Sequence, residues 1–210
     1  MPEIAVLLYD RVTALDAVGP YEVLQRLPGA RLRWVAPEPG AIGTDEGKLR
    51  LMAGERLEDV DRPDIVVVPG GFGTDALLDD ARVLGWLRRV HETSRWTTSV
   101  CTGSLLLGAA GILKGLRATC HWAQLERLRE YGALPTSERV VFDGKVVTAA
   151  GVSAGIDMGL ALAAREGGDE LAQAIQLGIE YDPQPPFDAG SPRKAPAALV
   201  EALRKRLARA

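Results

Sequence analysis

Cys101 sits between two contrasting stretches of sequence. Ahead of it, Trp96-Thr97-Thr98-Ser99-Val100 is β-branched or aromatic apart from one serine, the composition of a buried strand. Behind it, Thr102-Gly103-Ser104 opens into Leu105-Leu106-Leu107-Gly108-Ala109-Ala110, which reads as a tightly packed helix. Strand, sharp turn and helix in that order make a nucleophile elbow, here with cysteine in the usual place of serine. The amides of Thr102 and Gly103 at the helix start are expected to depress the thiol pKa and to stabilise charge developing on a target. The chemistry on offer is attack of a thiolate on an electrophilic carbon. A small buried hydrophobe is the other reading of a free cysteine, and this string alone leaves it open.

Such a nucleophile needs a group to manage its proton and donors to hold developing charge. Pro69-Gly70-Gly71-Phe72-Gly73 follows a strand-like run, and without Cβ atoms its backbone can approach a ligand closely. Ligands of open parallel sheets collect at the carboxyl ends of the strands, where this loop and Cys101 both fall. The amides of Gly70, Gly71 and Thr102 are therefore expected to bind substrate as an oxyanion-type pocket, although Gly-Gly after a strand is also a plain turn.

Asp16 and His121 compete for the proton. Thr13-x-x-Asp16 also reads as a capping box, and a carboxylate in a first helical turn is favourable without any catalysis. Gly19-Pro20 predicts a break that leaves Asp16 in a short kinked turn, with Glu22 a further acid nearby. His121, in Ala118-Thr119-Cys120-His121-Trp122, is either a base or a hydrogen-bonded wall of the pocket. No acid is clearly placed to orient it, so a full triad is not expected. Two histidines and no CxxC make too thin a ligand set for a metal, and none is expected.

The positioning elements follow from hydrophobic pattern. Glu3 to Tyr9 and Asp64 to Pro69 are apolar runs that fit strands of a parallel sheet covered on both faces, and Arg31 to Ala36 is a further strand. Helical period marks Ala14 to Leu27, Asp75 to His91, Trp122 to Tyr131, Ala154 to Arg165 and Asp169 to Ile179. Alternating strands and helices predict an α/β sandwich. Val140 to Thr148 reads as a hairpin turning at Asp143-Gly144. At Tyr181-Asp182-Pro183-Gln184-Pro185-Pro186-Phe187 the prolines end helical structure, so 181–210 is expected to be an extended arm closing in a short helix from Ala195 to Leu207.

The 210 residues, 47% hydrophobic, suffice for one domain spanning 1–210. A net charge of −3 argues against nucleic acid as a partner. No apolar run approaches the roughly 18 residues that cross a bilayer, and Met1-Pro2-Glu3 runs into a strand with no leader pattern. A cytoplasmic protein with both cysteines reduced is expected.

The segments Leu15-Asp16-Ala17-Val18-Gly19-Pro20-Tyr21-Glu22-Val23-Leu24, Pro69-Gly70-Gly71, Ser99-Val100-Cys101-Thr102-Gly103-Ser104 and Ala118-Thr119-Cys120-His121-Trp122 resemble the DJ-1/PfpI superfamily. Within it they are most like the isonitrile hydratases, as are Ala154-Gly155-Ile156-Asp157 and the stretch from Ile179 to Pro192. The resemblance implies a flavodoxin-like three-layer sandwich with a mostly parallel sheet, a homodimer, no metal or organic cofactor, and a small-molecule isonitrile substrate. It implies that Cys101, Asp16 and Thr102 serve the reaction. Cys120 stands where relatives often carry a second Thr, which alters the polarity expected beside His121. Other branches direct the cysteine to amides, peptides or methylglyoxal, and a redox or ligand sensor is the non-enzymatic alternative. The same motifs occur in the amidotransferase-like domains of AraC-type regulators, which continue into a helix-turn-helix. Residues 1–210 are expected to hold no such region, and a DNA-binding role is not expected of them.

Overall fold

The most apolar runs of the chain become the middle of its sheet. The computed structural model describes residues 1–45 and 47–207. In chain order the elements are β1 (Glu3–Leu7), α1 (Ala14–Leu24), β2 (Arg31–Ala36), β3 (Gly40–Gly43), β4 (Arg50–Ala53), β5 (Glu55–Arg56), β6 (Ile65–Val68), α2 (Ala81–Thr93), β7 (Trp96–Val100), α3 (Gly103–Ala109), β8 (Arg117–Ala118), β9 (Leu134–Pro135), β10 (Val140–Asp143), β11 (Val146–Ala149), α4 (Ala154–Gly167), α5 (Asp169–Gly178) and α6 (Ala197–Leu207). The main sheet has the order β10-β11-β7-β6-β1-β2-β5. Each neighbouring pair is parallel except the β10–β11 hairpin at one edge.

Ile65, Val66, Val67 and Val68 are wholly excluded from solvent because helices cover both faces of the sheet, as parallel strands require. Helices α1 and α4 pack together on one face, with α5 against α4, while α2 and α3 cover the other. The chain leaves β1 toward β2 on one side and returns to β6 on the other. That reversal opens a crevice at the carboxyl ends of β1 and β6, the place where such sheets bind ligands.

Several elements differ from the sequence expectation for identifiable reasons. Helix α1 runs through Pro20 without a break. The proline removes one helical donor, but its ring lies against α4, where a Cβ on Gly155 would stand 3.0 Å from Pro20 Cδ. The run from Asp75 divides into a 3-10 turn, Thr74–Leu77, and α2. Asp80 forces the division by capping α2, its Oδ1 accepting the Arg82 and Val83 amides at 2.8 and 3.0 Å. The helix expected from Trp122 to Tyr131 is a 3-10 segment, Leu125–Tyr131. In the β10–β11 hairpin Asp143 still pairs with Val146, so the turn is Gly144-Lys145, one residue later than expected. The β3–β4 ribbon and the short β8–β9 pair had no clear signal in the sequence.

From Tyr181 the chain leaves helical structure, but it is bent over 186–191 and turns at 192–194 rather than staying extended, and α6 follows with no buried residue. Residues 208–210 of the expected arm lie outside the described residues. Among the described residues, no helix is long and apolar enough to cross a membrane.

Candidate active site

Cys101 stands at the turn between β7 and α3 with φ 59°, a left-handed conformation that costs an L-residue energy and projects its side chain out of the sheet. The turn is this tight because α3 begins directly against β6. A Cβ on Gly103 would collide with the Val68 carbonyl. Of the five non-glycine residues with positive φ among the described residues, Arg11, Asp45, Cys101 and Val152 all line one cavity. For the β-branched Val152, at φ 37°, the conformation is a strong outlier, and it turns the Val152 amide toward the Cys101 thiol.

Asp16 lies fully buried beside this turn. It does not close a capping box. Thr13 makes no side-chain cap and instead donates its hydroxyl to Asp45 Oδ1 at 2.9 Å. Asp16 Oδ2 accepts the Gly70 amide at 3.0 Å, while Oδ1 has no hydrogen-bond partner of good geometry. Burial pushes the carboxyl pKa up to about 7, against the Gly70 amide and the Cys101 thiol, which both favour the charged form. An orphaned, desolvated carboxyl oxygen beside a thiol is poised to hold or give a proton near neutral pH.

The thiol itself corrects the sequence expectation. Burial, then the charge of Asp16 and the neighbouring Cys120, raise its pKa well above the ordinary value, outweighing the Thr102 and Val152 amides that lower it. Only about two turns of helix follow, and the thiol is shielded from water, so desolvation dominates the helix start.

The two glycine amides also take another part than expected. Gly70 N–H is spent on Asp16, and Gly71 N–H donates to Thr102 Oγ1 at 3.0 Å. Thr102 Oγ1 lies 2.8 Å from Thr74 Oγ1, which in turn lies 3.0 Å from the Tyr9 hydroxyl. The Tyr9 hydroxyl donates to Pro69 O at 2.9 Å. The glycines thus fix the acid and the threonine relative to Cys101 rather than present an oxyanion pocket. A Cβ at Gly70 would fall 2.5 Å from both N and Oγ1 of Thr102, so the approach of the two loops requires glycine.

The cavity over Cys101 has a volume of about 570 Å³, and Gly71, Thr102 and His121 reach it. His121 Nδ1 accepts the Ala123 amide at 3.3 Å, which occupies the nitrogen that a triad carboxylate would hold. Burial lowers the His121 pKa, so the ring is a neutral wall. Sequence reading missed Val152, Thr74 and Tyr9. Val152 follows a strand at its carboxyl end, a placement that could have marked it. Among the described residues, no group of three His, Cys, Asp or Glu side chains could hold a metal ion.

A three-layer α/β fold with a strained elbow at its switch point defines a class, and comparison with known proteins gives the family. Residues 2–165 match the DJ-1/PfpI family, and the chain belongs to it. An isonitrile hydratase from Pseudomonas putida is 45% identical over 206 residues, spanning 98% of this chain and 90% of the relative. The crystal structure of a ThiJ/PfpI family protein from Pseudomonas syringae superposes with a TM-score of 0.96 at 39% identity, over 99% of this chain and 86% of that one. The HTH-type transcriptional regulator CdhR of Pseudomonas aeruginosa is 32% identical over 165 residues, which are 77% of this chain and 48% of the regulator.

Proposed function

We propose that the protein is an isonitrile hydratase in which Cys101 is the nucleophile, Asp16 the proton carrier and Thr102 the residue that orients water or intermediate. The observation that carries the reading is the buried Asp16 carboxyl, titrating near 7 beside a cysteine on a strained turn. Near-full-length identity of 45% to an isonitrile hydratase supports the same reaction.

An isonitrile carbon carries a lone pair and accepts a nucleophile, so the reaction requires a sulfur and a proton at one atom. Sγ of Cys101 bonds to the terminal carbon while the thiol proton passes to Asp16 and from Asp16 to that carbon, giving R–N=CH–S–Cys. Asp16 is then ionised or neutral as the second step requires, because its pKa lies near the working pH. Water adds to the thioimidate carbon, its proton going to nitrogen by way of Asp16. Collapse of the tetrahedral intermediate breaks the C–S bond, returns the proton to sulfur and releases R–NH–CHO. The raised thiol pKa suits this scheme, since a protonated Cys101 brings the proton that the carbon needs. His121 stays outside the relay as a neutral wall.

The proposal includes a cytoplasmic location and a homodimer. Both cysteines are free thiols, which fits a reducing compartment. Leu177 and Phe187 are 81% and 79% exposed, which fits a face covered by another copy.

The test is a product assay with cyclohexyl isocyanide, following N-cyclohexylformamide in wild type, Cys101→Ala and Asp16→Asn proteins. Product from wild type alone is expected. No product above the Cys101→Ala background sinks the hydratase reading and moves the thiol to another substrate or to sensing.

A further inference from the structure

Helix α6 buries none of its own residues, yet its last residue, Leu207, reaches the cavity over Cys101. Leu199, Leu203 and Leu207 recur every four residues and so share one face of it. The first two line a groove of about 110 Å³ over Trp122, and Leu207 lines the Cys101 cavity. Trp122 links helix to site. Its ring lies 5.5 Å from that of His121 in the cavity wall, and the Arg204 guanidinium of α6 stands 5.7 Å from its centroid on a cation–π contact. A cavity wall, a tryptophan and α6 therefore form one stack.

The reacting end of an isonitrile is two atoms, so affinity has to come from the R group held away from Cys101. The cavity is far larger than that end requires, and its apolar surface includes Phe72, Ala76, Val152 and Leu207. Phe72 is 42% exposed, with the Arg11 guanidinium 5.6 Å from its ring centroid. At the rim Arg127 and Asp75 are paired with each other at 2.9 Å. Building on the hydratase reading, we infer that Leu207 of α6 is a specificity-determining residue that forms the outer wall of the R-group subsite, with Trp122 positioning it.

The test compares ethyl with cyclohexyl isocyanide on wild type, Leu207→Ala, Trp122→Ala and Trp122→Phe. Removing the wall is expected to raise KM for cyclohexyl isocyanide about 5- to 10-fold with kcat within about two-fold, and to leave the ethyl substrate unchanged. Trp122→Ala should reproduce that pattern and Trp122→Phe, which keeps a ring under Arg204, should restore wild-type behaviour. Equal effects on both substrates, or none, overturn the inference, because a merely structural role does not sort substrates by size. A second readout is independent of hydration: the rates at which N-cyclohexylmaleimide and N-ethylmaleimide label Cys101, followed by peptide mass. Leu207→Ala should lower the cyclohexyl-to-ethyl ratio, and a ratio that rises or stays constant overturns the wall even if wild type hydrates no isonitrile.

Discussion

Asp16 and Gly70, 54 residues apart in sequence, are joined by a single 3.0 Å hydrogen bond from the Gly70 amide to Oδ2, which leaves the buried Oδ1 without a hydrogen-bond partner. Asp16→Asn keeps an acceptor for that amide and loses the titrating proton. Its kcat/KM is expected to fall at least about 100-fold with the fold retained. Formamide production together with circular dichroism checks it, and near-wild-type turnover would remove Asp16 from the mechanism.

The same carboxyl makes stability depend on pH. Its pKa rises from 3.8 to about 7 on folding, so the folded chain holds a proton that the unfolded chain has released between those values. The stability it contributes is complete below pH 4 and is lost as pH rises through 7, by up to about 4 kcal/mol. Asparagine has no such dependence. The melting temperature of Asp16→Asn minus that of wild type should therefore grow from pH 4 to pH 8, and a flat difference would show that the carboxyl is not buried in its neutral form.

Cys101 reactivity carries the complementary sign. The Asp16 charge is the second cause of the raised thiol pKa, after burial. Removing it in Asp16→Asn should shift the pH profile of iodoacetamide alkylation to lower pH, with desolvation still holding the thiol above a free cysteine. A profile unmoved by the substitution would separate the two residues electrostatically.

Thr102 Oγ1 receives the Gly71 amide and meets Thr74 Oγ1, so its hydroxyl is structural, and the residue lines the same cavity as Cys101. Thr102→Val keeps the shape and strands the amide, and the expected cost is about 1–3 kcal/mol by urea denaturation. Thr102→Ser should recover most of that stability and most of the activity. Failure of serine to rescue would assign the effect to the methyl group's packing.

Much of this arrangement is legible in the chain. β2 and β7 have the bounds that their composition predicts: β7 is aromatic and β-branched but for one serine, and β2 alternates Arg31 and Arg33 with Leu32 and Trp34 before Pro37 stops it. The elbow at Cys101 follows from a strand run meeting a glycine-opened helix. Pro20 misleads, since a proline ends a helix only where nothing packs on its ring, and α4 does so from 135 residues further on. The capping reading of Thr13 and Asp16 fails for a similar reason: a distant amide, that of Gly70, outcompetes the local one. The direction of the Cys101 pKa is invisible to local sequence because burial, a property of the whole fold, sets it. Val152 carries no motif, and its strained amide is apparent only once β11 is placed beside β7.

Gly70→Ala tests whether the contact between the two loops matters as a unit. The new Cβ would stand 2.5 Å from Thr102 N and Oγ1 and 2.9 Å from Gly103 N, atoms of backbone and of a bonded hydroxyl that have no free direction to yield. The loop must back away, loosening the bonds of Gly70 to Asp16 and of Gly71 to Thr102 together. A loss of about 2–3 kcal/mol in stability and of most turnover is expected, with the Asp16 pKa rising further once its amide is withdrawn. Gly54→Ala is the matched control, because a Cβ there meets nothing within 4 Å. If Gly70→Ala instead kept activity while losing stability, Asp16 would not depend on that amide for its placement, and the carboxyl would be held by burial alone.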